Sequence, residues 1–384
     1  MLRIPFLLFT LLAALDARAA SWYVAPNGSD RNPGTLAAPF ATINQTDHVV
    51  RPGDTVYVRG GAYYQRVSLW RSGTARARIT YRPYGSERVI LDASGPINSR
   101  QPGNGVTLGG SYVDWIGFEI RNAPNIGLVG WGAHDQRLLN NIIHGCIGGG
   151  IWVGHDRFGL THHILISGNQ VYNNVLENKA RRWTSGWGQT IGVGRGNFIT
   201  ITNNKVYRNY GEGIVLSRTD NSRVAHNEVF DNYSVQIYLS HAQNCVVDGN
   251  LAYTTLNRSF YRTPASNDPP HGIVLANEYN GISTNPTRGN QVINNVIRNT
   301  EWGLGFWKDP AEKGARSMID CRFANNTVTG ATRYAVHFDA DAHKGVVVEN
   351  NTFVLRSPAM LASATSRTSG ITFRNNTLKP PTAS

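Results

Sequence analysis

The chain has 384 residues and carries 37 Lys and Arg against 25 Asp and Glu, a formal net charge of +12. That length exceeds one ordinary globular core, so the chain either divides into domains or extends as a repeat. The three cysteines, Cys146, Cys245 and Cys321, lie far apart, which argues against a disulfide framework and predicts buried thiols. The basic residues form no run and no nucleic-acid motif is present, so the charge predicts an acidic polysaccharide partner and not nucleic acid. The alternative is that the positive charge serves only solubility or surface adhesion.

Residues 1–20 have the three parts of a secretory signal peptide. Arg3 supplies the basic start, residues 4–15 are apolar, and Ala17-Arg18-Ala19 forms the small-residue end. The mature chain would begin near Ser21 and be secreted or periplasmic. No later apolar run approaches the roughly 20 residues that span a bilayer, so no membrane span is predicted. A short N-terminal anchor is the alternative.

Residues 21–100 are predicted to form an N-terminal cap and the first coils of a longer repeat. Short strands such as Val56-Tyr57-Val58 alternate with Gly/Pro turns such as Pro52-Gly53. A short helix is predicted around residues 41–50. A cap is needed because the first coil of a repeat otherwise exposes its apolar cross-section and unpaired strand edges.

Residues 101–378 repeat with a fixed period. Asn204, Asn227 and Asn250 lie 23 residues apart, which is typical of a solenoid. Each coil has a strand start, and these starts are Ile151, Ile191, Ile214, Ile237, Ile273, Leu304 and Val336. A second strand in each coil closes at an asparagine, and these are Asn141, Asn169, Asn204, Asn227, Asn250, Asn295, Asn326, Asn351 and Asn376. Stacked amides can hydrogen-bond along such a column.

Alternation within the first strand of each coil separates inward from outward residues. Ile214 and Leu216 are predicted inside, and Val215, Tyr238 and Val274 outside. Two longer intervals, 35 residues from Asn169 to Asn204 and 45 from Asn250 to Asn295, predict loops over residues 175–188 and 256–270. The tail, residues 379–384, is predicted to be disordered.

A basic column follows the strand starts. The residues four places after successive starts are His155, Arg195, Arg218, His241, Asn277 and Lys308. Adjacent strands are about 4.8 Å apart, so these side chains would form a ladder of donors along one face. A solvated turn in which the side chains splay apart is the alternative.

The coil pattern and the N-terminal segment together resemble the pectate-lyase-like superfamily. The segment Tyr23-Val24-Ala25-Pro26-Asn27-Gly28-Ser29-Asp30, with Pro33-Gly34-Thr35, is similar to the opening of many extracellular lyases of this class. The resemblance covers residues 22–378 and implies an all-β, right-handed parallel β-helix. It also implies a polysaccharide lyase, a uronan epimerase or a glycosidase, with a cleft along the first strand of the coils.

The candidate catalytic residues are His155, Asp156, Arg195, Arg218 and His241. Gly154-His155-Asp156-Arg157 resembles part of a mannuronan epimerase coil, although Val153-Gly154 replaces that family's Asp-Pro pair. Arg195 and Arg218 would neutralise a uronate carboxylate, which acidifies the proton on the neighbouring carbon. His155, oriented by Asp156, would take this proton, and His241 is the second candidate, as base or as acid.

No cofactor is predicted. Calcium stays an open alternative, although the aligned strands lack the aspartate clusters that bind it in pectate lyases. The candidate substrate-binding residues are aromatic or basic side chains near the strands and the first long loop. They are Trp152, Lys179, Arg182, Trp183, Trp187, Tyr238, Trp307 and Lys308. Exposed rings offer flat surfaces for sugars.

The sequence therefore predicts a monomeric lyase that cleaves an acidic polysaccharide by β-elimination. A hydrolase is an alternative, with carboxylates available at Glu212, Glu278, Asp309, Asp339 and Asp341. The other two alternatives are an epimerase and a carbohydrate-binding protein without catalytic activity.

Overall fold

The computed structural model describes residues 19–94, 103–182, 186–262, 266–279, 285–312, 314, 317–339, 342–361 and 370–381. Residues 1–18 of the predicted signal peptide, Trp183 and Asp341 lie outside this part of the chain. Within it, no helix is long and apolar enough to cross a membrane.

The described strands form three parallel sheets, and successive coils of the chain add one strand to each. The first sheet contains β1 (Ser21–Val24), β2 (Thr55–Val58), β5 (Ile79–Pro83), β8 (Val113–Ile116), β11 (Arg137–Leu139), β14 (Leu165–Ser167), β17 (Thr200–Thr202), β20 (Arg223–Ala225), β23 (Val246–Asp248), β26 (Gln291–Ile293), β29 (Arg322–Ala324), β32 (Val346–Glu349) and β34 (Ile371–Arg374). The third sheet contains β3 (Gly61–Tyr63), β6 (Val89–Asp92), β9 (Glu119–Arg121), β12 (Ile142–His144), β15 (Gln170–Tyr172), β18 (Lys205–Tyr207), β21 (Glu228–Phe230), β24 (Leu251–Tyr253), β27 (Val296–Arg298), β30 (Thr327–Thr329), β33 (Thr352–Val354) and β35 (Thr377–Lys379). This arrangement is a parallel β-helix, and the all-β prediction is confirmed.

The second sheet carries the longest strands and the candidate site. It contains β4 (Val67–Leu69), β7 (Val106–Leu108), β10 (Ile126–Trp131), β13 (Gly149–Gly154), β16 (Gln189–Gly194), β19 (Glu212–Ser217), β22 (Val235–Ser240), β25 (His271–Asn277), β28 (Trp302–Lys308) and β31 (Tyr334–Phe338). Short helices occur at Ile43–Thr46, Leu176–Asn178, Arg258–Phe260 and Pro358–Met360. The first of these lies within the segment predicted to be helical, and its Ile43 packs into the core.

The register of the second sheet is the one that the sequence predicts. All seven predicted strand starts pair in one column, from Ile151 to Val336. Ile214 and Leu216 belong to the main core, whereas Val215, Tyr238 and Val274 belong to a separate apolar cluster on the outer side of the sheet. The inward and outward assignments are therefore confirmed.

The asparagine column is also confirmed and is hydrogen-bonded from Asn141 to Asn376. In one of its steps, Asn204 Nδ2 donates to Asn227 Oδ1 at 2.9 Å. A second column, which the sequence interpretation missed, runs along Asn174, Asn209 and Asn232 and ends on Gln236. Both columns satisfy buried backbone groups at turns, where an unmade hydrogen bond is costly.

The long loops lie where they were predicted. One connects β15 to β16 and the other connects β24 to β25. Part of the same 45-residue interval forms the connection between β25 and β26, which was missed because the interval was assigned to a single loop. The three cysteines are buried and free, as predicted. β35 extends to Lys379, so strand pairing continues into the first residue of the predicted disordered tail.

Candidate functional site

Three columns of outward side chains on the second sheet form the floor of a cavity. The first column is Gln189, Glu212, Val235, His271 and Trp302; the second is Val215, Tyr238 and Val274; the third includes Ser217, Ser240 and Trp307. The cavity measures about 660 Å³, a size typical of ligand pockets. It lies over β16 to β28, where the predicted long loops leave the stack.

Two walls enclose the floor. On one side the loop after β15 supplies Trp187 and the loop after β24 supplies Arg262, whose guanidinium lies over the Trp187 ring at 5.8 Å. These loops also contact each other, because Arg181 Nη1 donates to the Arg258 carbonyl at 2.5 Å. On the other side, the wall is formed by the chain after β25 and by Asp309, which accepts a hydrogen bond from the Tyr279 backbone at 3.2 Å.

The cavity contains three carboxyl groups. Burial raises the pKa of Glu212 well above its ordinary value, and nearby Glu278 raises it further while Arg262 opposes the shift, so the cavity favours the neutral acid. Burial also raises the pKa of Glu278, although hydrogen bonds from Tyr238 and Ser240 stabilise its carboxylate and oppose the shift. The structure therefore places two electrostatically coupled acids in one cavity. Aligning the coils of the sequence by their strand starts did not find this pair.

These carboxyl groups do not form a calcium site. Among the described residues, the one group of three or more acidic, imidazole or thiol side chains with ligand atoms within 4.8 Å of one another is His134, Asp135 and His162. None of these residues lines the cavity. Since Ca²⁺ needs six to eight converging oxygen ligands, the carboxyl groups of the cavity do not fit it.

Arg195 and Arg218 form a cationic pair beside the cavity. Their backbones occupy successive positions of the predicted ladder, since Arg195 N donates to Ser217 O and Arg218 N to Ser240 O. Burial lowers the pKa of Arg218, and the neighbouring Arg195 lowers it further. The Arg218 Nε is buried and has no hydrogen-bond partner in the described part of the chain. Arg195 has one weak ion pair, 3.9 Å from Asp156, whose side chain is 84% exposed.

The two candidate histidines follow the same column, and each ring has backbone partners of its own. His241 is buried, and its Nδ1 and Nε2 lie 2.7 and 2.8 Å from the carbonyl oxygens of Asn285 and Glu278. It therefore holds the wall after β25 and has no nitrogen free to act as a base. The Nδ1 of His155 accepts a hydrogen bond from the Arg157 backbone at 2.9 Å, so the neutral ring carries its proton on Nε2. His155 also packs against Trp131, at 5.2 Å between centroids.

The predicted aromatic residues divide between the cavity and an outer platform. Trp187 and Trp307 line the cavity, and so does Tyr238, which is only 5% exposed, contrary to the exposure expected for it. Trp152 lies instead against Trp131, 5.5 Å between centroids, on earlier coils. Its ring lies over Gly192 and Gly194, where a Cβ atom would come within 3.0 Å of it.

The remaining predicted residues lie at the edges. Lys179 and Arg182 are exposed in the loop after β15, and Lys308 is half-buried at the end of β28. The floor residues Glu212, His271 and Trp302 occupy the position two places before each strand start. The same alignment that produced the basic column, applied at this offset, would have found them. Arg262 comes from a loop, and no periodic signal identifies it.

A Glu212→Gln variant is expected to be more stable than the wild-type chain at neutral and alkaline pH. Because the folded state keeps the Glu212 carboxyl protonated, only the unfolded chain releases this proton as the pH rises above the ordinary pKa of 4.5. The advantage of the variant should grow by about 1.4 kcal/mol per pH unit until the raised pKa is reached, and should vanish below about pH 4. Denaturant unfolding at a series of pH values measures it.

Asp320→Asn is the matched control, since that side chain is 63% exposed. It removes the same charge from the surface and should not produce a gain that grows with pH. Equal gains in the two variants would contradict a neutral, buried Glu212.

The fold and the position of the cavity define a pectate-lyase-like β-helix protein. The chain belongs to the family described as "Pel9A-like, right handed beta helix region", whose model matches residues 22–250. The handedness predicted from the resemblance is therefore shown.

Similar proteins include both lyases and glycosidases. The chain is 41% identical over 76 residues to the pectate lyase PEL9 of Emericella nidulans, a match that covers 19% of this chain and 18% of that protein. The chain thus spans less than a fifth of the length of the curated relatives it matches. Similar solved structures include the GH136 lacto-N-biosidase of Eubacterium ramulus (TM-score 0.63, 14% identity, 94% of this chain and 68% of that one) and a rhamnogalacturonan lyase (TM-score 0.58, 16% identity, 93% and 87%). At these identities the structural likeness shows the fold alone.

Proposed function

We propose that this protein is an enzyme that cleaves a uronate-containing polysaccharide by β-elimination in the cavity over β16 to β28. The observation that carries the proposal is the Arg195–Arg218 pair of neighbouring cations, of which Arg218 lies within electrostatic range of the buried Glu278. The similarity to a pectate lyase supports the same reaction class.

The arginine pair calls for an anion. Two neighbouring cations repel each other, and burial adds the cost of removing Arg218 from water. A carboxylate bound between them would offset both costs. A uronate supplies such a carboxylate, whereas a neutral sugar does not.

The two acids divide the proton transfers of the reaction. The ionised Glu278, next to Arg218 and held by the Tyr238 and Ser240 hydroxyls, removes the proton on the carbon beside the uronate carboxylate. The electron pair of that C–H bond forms the new carbon–carbon double bond as the neighbouring bond to the glycosidic oxygen breaks. Glu212, neutral in the cavity, donates its proton to the departing oxygen. Arg195 and Arg218 stabilise the negative charge that develops on the carboxylate.

Hydrolysis is the second candidate, and Glu212 favours it. A buried neutral carboxyl coupled to a second acid is the pattern that glycosidases use for general acid and base. Hydrolysis of a neutral glycan needs the same two acids but gives the arginine pair no role. The two reactions are therefore distinguished by the arginines and by the products.

An Arg218→Gln variant is expected to lose roughly 10- to 100-fold in affinity for an anionic oligosaccharide, and in kcat/KM, because it loses a charge-assisted contact. The measurement is turnover of polygalacturonate, alginate, glycosaminoglycans and neutral glycans, followed by ultraviolet absorbance for the unsaturated product and by a reducing-end assay. Binding of the preferred oligosaccharide is measured in parallel.

Arg298→Ala is the control, because this exposed arginine lies on the third sheet. New reducing ends without ultraviolet absorbance would show that the enzyme cleaves by hydrolysis and not by elimination. Unchanged chain length with altered sugars would indicate epimerisation. Binding without turnover would indicate a carbohydrate-binding protein without catalytic activity. Unchanged affinity in Arg218→Gln would contradict the proposed binding of the substrate carboxylate by the arginine pair.

The Trp131–Trp152 platform extends the proposed binding surface beyond the cavity. It lies on the coils before Arg195, so a sugar stacked on it would belong to the same polysaccharide chain. Along with the predicted signal peptide, a polymeric substrate fits a secreted or periplasmic location, which we include in the proposal.

A further inference from the structure

We propose that three indole rings, those of Trp70, Trp131 and Trp152, bind successive sugar rings of one polysaccharide chain on the coils before the cavity, with Trp70 as the most distant binding position. These three rings are called the indole row below. The inference rests on the proposed function, because it takes the ligand to be the polysaccharide that enters the cavity. It adds a requirement of length, since only a long oligosaccharide reaches both the cavity and Trp70.

The register of the second sheet aligns the indole row with the cavity. Trp70 directly follows β4, and Trp131 is the last residue of β10. Between them lies Gly109, directly after β7, whose backbone amide donates to the Leu69 carbonyl at 2.8 Å. Strand pairing continues this column to the cavity floor, and its members are Trp70, Gly109, Trp131, Gly154, Gly194 and Ser217. Since Ser217 lines the cavity, the row and the cavity share one face of the β-helix.

Glycine residues allow the rings to lie against the sheet. A Cβ atom added at Gly109 would come within 2.1 Å of Cε3 of Trp70, so this ring lies directly over Gly109. Trp152 belongs to the neighbouring column, and a Cβ atom added at Gly154 would come within 2.9 Å of its ring. With one face against the backbone, the Trp70 side chain is still 57% exposed, and Trp131 is 37% exposed. The opposite face of the Trp70 ring is therefore open to a ligand.

Local contacts hold the indole row in place before a ligand binds. The backbone amides of Trp70 and Arg71 both donate to Asp47 Oδ1, at 2.9 and 3.0 Å. Trp131 packs against Trp152 and His155, with centroids 5.5 and 5.2 Å apart. A side chain that is already fixed loses little conformational freedom on binding, so more of the contact energy contributes to affinity.

A sugar chain is the ligand that fits this row. Large apolar side chains grouped on a surface commonly mark a binding site, and an indole offers a flat apolar face to a pyranose ring. Trp70 lies four strand steps before β16, about 19 Å at the usual strand spacing. An oligosaccharide of several sugars can cover that distance along the column. Because stacking needs no charge, the row binds the sugar rings, whereas Arg195 and Arg218 select the carboxylate.

The test measures the affinity of the full chain for oligogalacturonates, from the disaccharide to the octasaccharide, by calorimetry. All measurements use the Glu278→Gln background, in which the proposed base is removed so that the ligand stays intact. Affinity should rise with length. Trp70→Ala should lower it about 3- to 10-fold for the octasaccharide and leave the disaccharide unchanged. Trp70→Tyr, which keeps an aromatic ring over Gly109, should recover most of this loss.

The control is Tyr64→Ala, which removes a ring that is 78% exposed and follows β3 of the third sheet. It should leave the affinity for every oligosaccharide unchanged. Equal affinity for all lengths, an unchanged octasaccharide affinity in Trp70→Ala, or equal losses for the disaccharide and the octasaccharide would overturn the indole row. A dimer that Trp70→Ala dissociates, detected by sedimentation, would assign the ring to a contact between copies and would also overturn it.

A matched series of xylo-oligosaccharides separates this inference from the proposed function. If these neutral ligands bind with a length-dependent loss in Trp70→Ala while oligogalacturonates do not bind, the indole row is supported and the uronate site is wrong. Absence of binding in both series would overturn both. Circular dichroism and melting temperature show that each variant remains folded, and Trp70→Ser replaces Trp70→Ala if that variant unfolds.

Discussion

A Glu278→Gln variant is expected to lose about 10²- to 10⁴-fold in kcat while it keeps its affinity for the anionic oligosaccharide. Gln has nearly the shape of Glu, so the hydrogen bonds from Tyr238 and Ser240 to the side-chain oxygen can persist. What the variant loses is the group that accepts the proton. Single-turnover rates and oligosaccharide binding, measured on the same preparations, separate the two effects.

The pH dependence of the wild type tests the same roles. Activity should rise with pH as Glu278 ionises, at a pH above the usual range for a carboxyl group because the pKa of Glu278 is raised. Activity should fall at higher pH, when Glu212 loses its proton. Glu177→Gln, an exposed change in the loop after β15, is the control and should leave both limbs in place. A Glu278→Gln variant that turns over at the wild-type rate would show that another group is the base.

An Asn227→Ala variant is expected to lose about 2–5 kcal/mol of unfolding free energy. Asn227 is buried, its Nδ2 donates to the carbonyls of Ile201 and Ala225, and its Oδ1 accepts from the backbone and the side chain of Asn204. Ala leaves these groups buried without partners. Because neighbouring coils stabilise each other in a solenoid, the loss at one coil weakens the coils on both sides.

Chemical denaturation of the wild type and the variant measures this loss. Asn27→Ala, which removes an exposed asparagine from the N-terminal region, is the matched control and should change stability by less than about 0.5 kcal/mol. Similar losses in both variants would mean that the asparagine column contributes little to stability. A small loss in both would have the same meaning.

The architecture could be predicted because every coil of a solenoid needs similar residues at the same positions, which gives the sequence a regular period. Asn204, Asn227 and Asn250 occur at equal intervals because each coil must satisfy the same turn, and Ile191, Ile214 and Ile237 occur at equal intervals because each coil buries the same strand position. Register follows from these positions by counting, since the strands are parallel. The longer intervals predicted the loops after β15 and after β24 for the same reason.

The candidate site could be predicted only as a face of the β-helix. The basic column does follow the strands, but His241 is turned under the chain after β25, whereas Arg195 and Arg218 stay together beside the cavity. Counting residues places a backbone, and it does not say which way a side chain turns at a position with left-handed φ, as in Arg195, Arg218 and His241.

The repeat, the inward and outward sides of the second sheet and the positions of two loops follow from the pattern of residues, and the family resemblance added the direction of the strands. The folded chain was needed to show that Glu212 and Glu278, from different coils, share one cavity with Arg262, and that the His134 ring stacks on His162. The reason is physical: periodic burial is repeated in every coil and leaves a signal in the chain. The meeting of loop side chains happens once and depends on how each loop folds back over the sheet.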